Sequence, residues 1–222
     1  MKKTRRAGFA VITAIYAAAT GLGVAVFLAL PEAHLFWRVL AGDVAATLFV
    51  YLTGVVLRNA SVYDPYWSVA PLVILTGVAL GFGKADAGTL LLLLAVWYWG
   101  VRLTLNWAHT FKSLATQDWR YDGFKQKYPR LFQLISLFGI NLFPTAVVSL
   151  CLLPGLVFLQ ESAFNFLTLA GFAVCVGAAT LQLAADIQMH RFRRRNAGKS
   201  LLIREGLWKH ARHPNYLGEI LM

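Results

Sequence analysis

The densest run of chemically capable side chains lies near the end of the chain. It reads Glu205-Gly-Leu-Trp-Lys-His-Ala-Arg-His-Pro-Asn-Tyr-Leu-Gly-Glu219. Cations, imidazoles, an amide, a phenol and carboxylates stand directly before a segment apolar enough to enter a membrane. The preceding His190-Arg-Phe-Arg-Arg-Arg195 is strongly cationic and reads as part of a loop. Ionisable groups are costly in lipid and need partners or a purpose there. The pattern predicts an anion-binding site at one end of a helix bundle whose interior accepts something apolar.

Two internal segments carry matching polar series. Tyr98, Arg102, Asn106 and His109 follow a four, four, three spacing, and Gln182, Asp186, His190 and Arg193 repeat it. At 100° per residue each series spans an arc of roughly 80°, a single stripe on a helix. Such a stripe faces the bundle interior or a water-filled cavity. One stripe alone is well explained by interhelical hydrogen bonding. Two of them together with the terminal motif favour a binding site.

Two further motifs mix aromatic and acidic residues. In Asn59-Ala-Ser-Val-Tyr-Asp-Pro-Tyr-Trp-Ser-Val-Ala-Pro71, Asp64 before Pro65 reads as a helix N-cap with proline at the first helical position. Tyr63, Tyr66 and Trp67 suit interfacial anchoring. Gln117-Asp-Trp-Arg-Tyr-Asp122 reads either as an ion-paired interfacial loop or as a lid over a cofactor. His210 and His213 invite a metal reading, but Pro214 interrupts a regular helix there and the nearby arginines repel a cation. No metal is expected.

The elements that position these residues are apolar helices. The chain has 222 residues, of which 58% are hydrophobic and 14% charged, outside the range of ordinary soluble domains. Runs of about 20 apolar residues span a bilayer. Candidate spans are 7–30, 35–57, 67–82, 88–107, 131–159 and 163–185, with a seventh starting near Asn215 and continuing beyond Met222. The fold class is therefore all-α: a polytopic membrane protein of about seven helices, with residues 1–222 forming one integral membrane domain.

The apolar run of 7–30 is too long for a signal-peptide core, so it is expected to be a retained first helix. All but Arg38, Lys84 and Arg102 of the 21 Lys and Arg fall on one side of this topology, which predicts a cytoplasmic amino terminus. The net charge of +11 then follows from topology and from attraction to anionic lipid, without nucleic acid. The arginine run itself admits that explanation. Cys151 and Cys175 sit in different apolar segments and read as small buried residues rather than a disulfide.

Gly206–Glu219 as a motif resembles the carboxy-terminal signature of the steroid 5-alpha-reductase superfamily. Residues 59–71, Trp99-Gly-Val-Arg102 and Asp118-Trp-Arg-Tyr121 resemble its bacterial DUF1295 branch. The likeness runs from about Asn59 onward, leaving 1–58 as added amino-terminal helices. It implies a bacterial inner-membrane enzyme that admits NADPH from the cytoplasm and a steroid-like or other lipid enone from the bilayer. It also implies reduction of a conjugated C=C bond, with an acid and a tyrosine polarising the carbonyl. The acid position falls on Asp64, where the steroid enzymes usually have glutamate. The tyrosine position falls on Tyr98, or on Trp99 if the alignment shifts by one.

Cofactor-binding positions implied are Arg102, Asn106, Gln182, Asp186, Arg193, Arg212, His213, Asn215, Tyr216 and Glu219. Guanidinium groups suit the pyrophosphate and ribose phosphate, while Asp186 and Glu219 suit hydroxyl or amide donors. No glycine-rich strand-to-helix motif is present, so a Rossmann site is excluded. Isoprenylcysteine carboxyl methyltransferases carry a related Arg-His-Pro element, which makes S-adenosylmethionine the alternative cofactor. A non-catalytic lipid-binding protein is the third reading.

Overall fold

A computed structural model of the protein describes residues 4–161 and 164–222. Lys2, Lys3 and Ser162, together with Ala163 at the start of an expected span, lie outside the described residues. All regular structure among the described residues is helical. Helix α1 spans Arg5–Leu28, α2 Leu35–Leu57, α3 Tyr66–Gly81, α4 Ala87–Thr110 and α5 Trp119–Lys127. Helix α6 spans Phe132–Glu161, α7 Phe166–Arg195 and α8 Pro214–Leu221.

The boundaries have local causes. Thr4 and Asp86 cap α1 and α4 by accepting bonds from Ala7 N (3.3 Å) and Thr89 N (3.0 Å), satisfying amides that have no partner within the helix. Asn165 and Thr168 form a reciprocal capping box at the start of α7. Arg58 ends α2 in a left-handed conformation, φ 54°. Within α6, residues Ile135–Leu142 wind as a π-helix immediately before Pro144. The wider turn accommodates a ring that cannot donate a backbone bond and would crowd the preceding carbonyl.

Among the described residues, five helices are long and apolar enough to cross a membrane: α1, α2, α4, α6 and α7. The expected count of seven is not confirmed. Helix α3 has 16 residues, or roughly 24 Å at 1.5 Å per residue, short of a hydrocarbon layer of about 30 Å. Helix α8 has only eight residues here.

Three local expectations are also revised. Nothing breaks the helix after Ala185, so the cationic 190–195 run forms the last turns of α7 rather than a loop. Pro65 takes the cap position of α3, with Tyr66 first in the helix, so Asp64 is not its N-cap. Cys151 is exposed on the outer surface of α6, and only Cys175 is half-buried.

Packing is organised around α2 and α3 on one side and α4, α7 and α8 on the other. Leu75 of α3 meets Leu156 and Leu159 of α6 in the apolar core, all three nearly inaccessible. Helix α4 crosses α3 at Gly100, where a Cβ would lie 2.7 Å from Ser68 O and from a Leu72 methyl. That approach fixes which face of α4 turns toward α7.

Candidate active site

The two polar stripes face each other across the α4–α7 contact. Arg102 Nη1 donates to Asp186 Oδ2 at 2.8 Å, and Nη2 donates to Gln182 Oε1. One turn toward the basic end, Asn106 Oδ1 meets His190 Nε2 at 2.7 Å. Beyond it, His109 and His190 stand edge to face with ring centroids 5.2 Å apart. One turn the other way, the Tyr98 hydroxyl meets Thr180 Oγ1 at 3.2 Å. The matching spacing sets Arg102 opposite Gln182 and Asp186, and Asn106 opposite His190, while Tyr98 pairs with Thr180 outside the second series.

Helix α8 closes this ladder from behind. Glu219 accepts from Trp99 Nε1 at 3.2 Å and from Gln182 Nε2 at 2.8 Å. Within the protein, Glu219 is thus held by Trp99 and Gln182 together. Pro214 begins α8 after the 3₁₀ turn Gly206–Lys209. The intervening chain is tied down by Leu207 N donating to Gln188 Oε1 at 2.8 Å and Trp208 Nε1 to Ala185 O at 3.0 Å.

A cavity of about 340 Å³ opens alongside the ladder, walled by Tyr98, Arg102, Asn106, Asp186 and His190 with Leu105 and other apolar residues. Leu105 and Val101 are exposed at its edge, so it opens sideways as well as toward the basic end. Two buried polar atoms find no hydrogen-bond partner here: Arg102 Nε and, on α8, Asn215 Oδ1. Buried polar atoms normally have partners, and each of these marks a place where a bound molecule could make one.

The expected catalytic tyrosine and cofactor residues divide accordingly. Tyr98, Arg102, Asn106 and Asp186 wall the cavity, while Gln182 and Glu219 brace it. Arg193, Arg212, His213 and Tyr216 are exposed at the basic end outside it. His213 and Tyr216 stack on each other, centroids 5.1 Å apart. Of Tyr98 and Trp99, only Tyr98 lines the cavity, because the Trp99 indole is turned toward Glu219.

Asp64 lies elsewhere. Its Oδ1 accepts from the Tyr121 hydroxyl at 2.8 Å, so it belongs to the junction between the α2–α3 loop and α5. It does not join Tyr98. At the same junction Asp118 N donates to Ser61 Oγ at 2.9 Å and Ala60 N to Gln117 Oε1 at 2.6 Å. Asn59 Nδ2 also donates to Leu114 O at 2.9 Å. Sequence spacing missed this pairing because the partners are 57 residues apart.

Burial pushes the Asp64 carboxyl up to about 6, against the lowering effect of the bonds from Tyr121 and Ser61. The same burial and the adjacent Asp64 raise the Tyr121 phenol. Arg120 holds Asp118 below the ordinary carboxylate range.

A raised carboxyl stabilises the fold most below its unfolded value near 4, and that contribution falls as pH rises toward 6. Asp64→Asn keeps the acceptor for Tyr121 without the ionisation. The variant is therefore expected to be more stable than wild type at pH 7, by at most about 3 kcal/mol. Melting curves between pH 4 and pH 8 check this: the gain should vanish by pH 4, and a gain independent of pH would exclude Asp64 as its source.

A search of characterised proteins and one of solved structures found no match. A family model described as "Protein of unknown function (DUF1295)" matches residues 50–222. This covers α3 to α8, both stripes and the terminal motif; on that match, the chain belongs to the DUF1295 family.

Proposed function

We propose that the protein is a membrane-embedded, NADPH-dependent reductase of a conjugated C=C bond in a steroid-like or other lipid enone. The observation that carries this reading is the α4–α7 cavity. It joins a lipid-facing side opening, a wall of hydrogen-bonding groups and a buried guanidinium with an unpartnered N–H, with exposed arginines at the basic end beyond it. In this reading the basic end faces the cytoplasm.

The residues present fit the cofactor's chemistry. Exposed Arg193, Arg194 and Arg212 suit its phosphates. Asp186, Asn106 and the Arg102 Nε–H suit hydroxyl and amide groups within a cavity of about 340 Å³. Bound NADPH would supply the hydride that reduces the β carbon. Tyr98 holds the proton that the carbonyl side of the substrate takes up, and it lines the cavity beside Val101 and Leu105, where a ligand would enter. Arg102 and Asp186 fix the wall opposite. Asp64 serves as a positioning residue that holds α5 through Tyr121.

The test is a titration of purified full-length protein in lipid nanodiscs with NADPH and, separately, S-adenosylmethionine, followed by turnover with an enone lipid. NADPH should raise the melting temperature and be consumed. Tyr98→Phe should slow turnover by about 100-fold or more, the usual worth of a positioned proton donor, with NADPH affinity unchanged. A response to S-adenosylmethionine alone would replace the reductase with a methyltransferase. A response to neither would leave a lipid-binding protein.

A further inference from the structure

A second cavity, of about 310 Å³, lies between α1, α2 and α3, on the side of α3 away from α4. This is roughly twice the volume of a dry apolar cavity of about 150 Å³ that holds a benzene ring. Its walls are almost wholly apolar, and small residues at Gly23, Gly42 and Gly77 give it depth. Val24, Leu28 and Val73 are exposed along its mouth, so it opens toward lipid. Ten of its eighteen lining positions precede residue 50 and so fall outside the family match at 50–222.

One end of this groove is polar. Asp43 is 5% exposed, in the middle of a membrane-spanning helix, where a carboxyl group is costly. Its Oδ1 accepts from the Tyr66 hydroxyl at 2.9 Å and its Oδ2 from Ser149 Oγ at 3.1 Å. Beside it the Tyr16 hydroxyl donates to Val62 O at 2.7 Å, its ring edge to face with Tyr66. The donor hydrogens of both phenols and of Ser149 are thus committed. What remains toward the groove is lone pairs, on the Asp43 carboxyl and the phenol oxygens. Thr20, further along the wall, can turn its hydroxyl either way.

We infer that this groove binds a single-chain amphiphile whose head group donates a hydrogen bond to Asp43, a long-chain alcohol or protonated amine. The apolar groove takes the tail, and the committed phenols disfavour a ketone or ester head, which can only accept. This is a second lipid site, separate from the α4–α7 cavity and opposite in preference to an enone.

Photo-crosslinking tests it in full-length protein in nanodiscs. Diazirine-bearing forms of 1-dodecanol, dodecylamine and 2-dodecanone serve as probes, with adducts mapped by mass spectrometry. The alcohol or the amine should label α1 and α3 peptides at least about tenfold more than the ketone, the equivalent of one net hydrogen bond. Unlabelled 1-dodecanol or dodecylamine should compete, and the stronger of the two identifies the head group.

Two variants sharpen the result. A Cβ at Gly77 meets nothing within 4 Å, so Gly77→Leu fills the groove without disturbing the fold and should abolish labelling. Asp43→Asn presents an amide N–H and should shift preference toward the ketone. Equal labelling by all three head groups, or labelling unchanged in Gly77→Leu, would overturn the inference.

Discussion

Replacing Arg102 with leucine is expected to destabilise the bundle by about 3–5 kcal/mol, the usual consequence of removing one partner from a buried ion pair. The guanidinium is 5% exposed and Asp186 is 15% exposed, so water replaces the lost partner only in part. Asp186, the Gln182 carbonyl oxygen and, one step behind, Glu219 would be left around an apolar side chain.

The double variant Arg102→Leu/Asp186→Leu separates pairing from packing. Replacing both members of a buried pair by apolar groups is often close to neutral, so most of the lost stability should return. The NADPH response should not. Thermal unfolding of both variants in one detergent, read beside the cofactor titration, checks each half. A single variant as stable as the double would mean that the Arg102–Asp186 pair contributes nothing to holding α4 on α7.

The helices were legible because apolar runs of about 20 residues, interrupted at positions such as Pro31, leave few alternatives. The stripes were legible because an α-helix converts a four, four, three spacing into one face. What spacing within a segment cannot give is the partner on another segment. Tyr121 for Asp64, and Trp99 with Gln182 for Glu219, depend on how α5 and α8 dock. The cationic run 191–195 looked like a loop because positive charge marks membrane boundaries. Charge does not break a helix, however, and α7 continues to Arg195, with left-handed Gly198 following in the turn beyond it. Asp43 carried a usable signal, a lone carboxylate within the apolar run 35–57, but its meaning needed Tyr66 and Ser149 from two other helices.

Gly218→Val is expected to remove α8 from the bundle and the cofactor response with it. A Cβ at this position would stand 2.5 Å from Gln182 Cγ and 2.7 Å from Ala178 O. The first of these could move with its side chain, but the second is backbone of α7 and cannot. Overpacking of a tight contact typically costs about 1–3 kcal/mol. Here the strain falls on the contact by which α8 packs against α7. Displacing it breaks both bonds that Glu219 accepts and frees Gln182 from one side of the Arg102 network.

Gly177 supplies the control. It lies on the same α7, and a Cβ there meets nothing within 4 Å. Gly177→Ala should be neutral or stabilising by roughly 1 kcal/mol from helix propensity alone. Limited proteolysis gives the readout. Gly218→Val should open the 196–213 segment to cleavage by releasing its carboxy-terminal anchor, whereas Gly177→Ala should leave it as resistant as wild type. Equal resistance in both would show that the terminal motif does not depend on this close approach, and the role of the glycine before Glu219 would have to lie elsewhere.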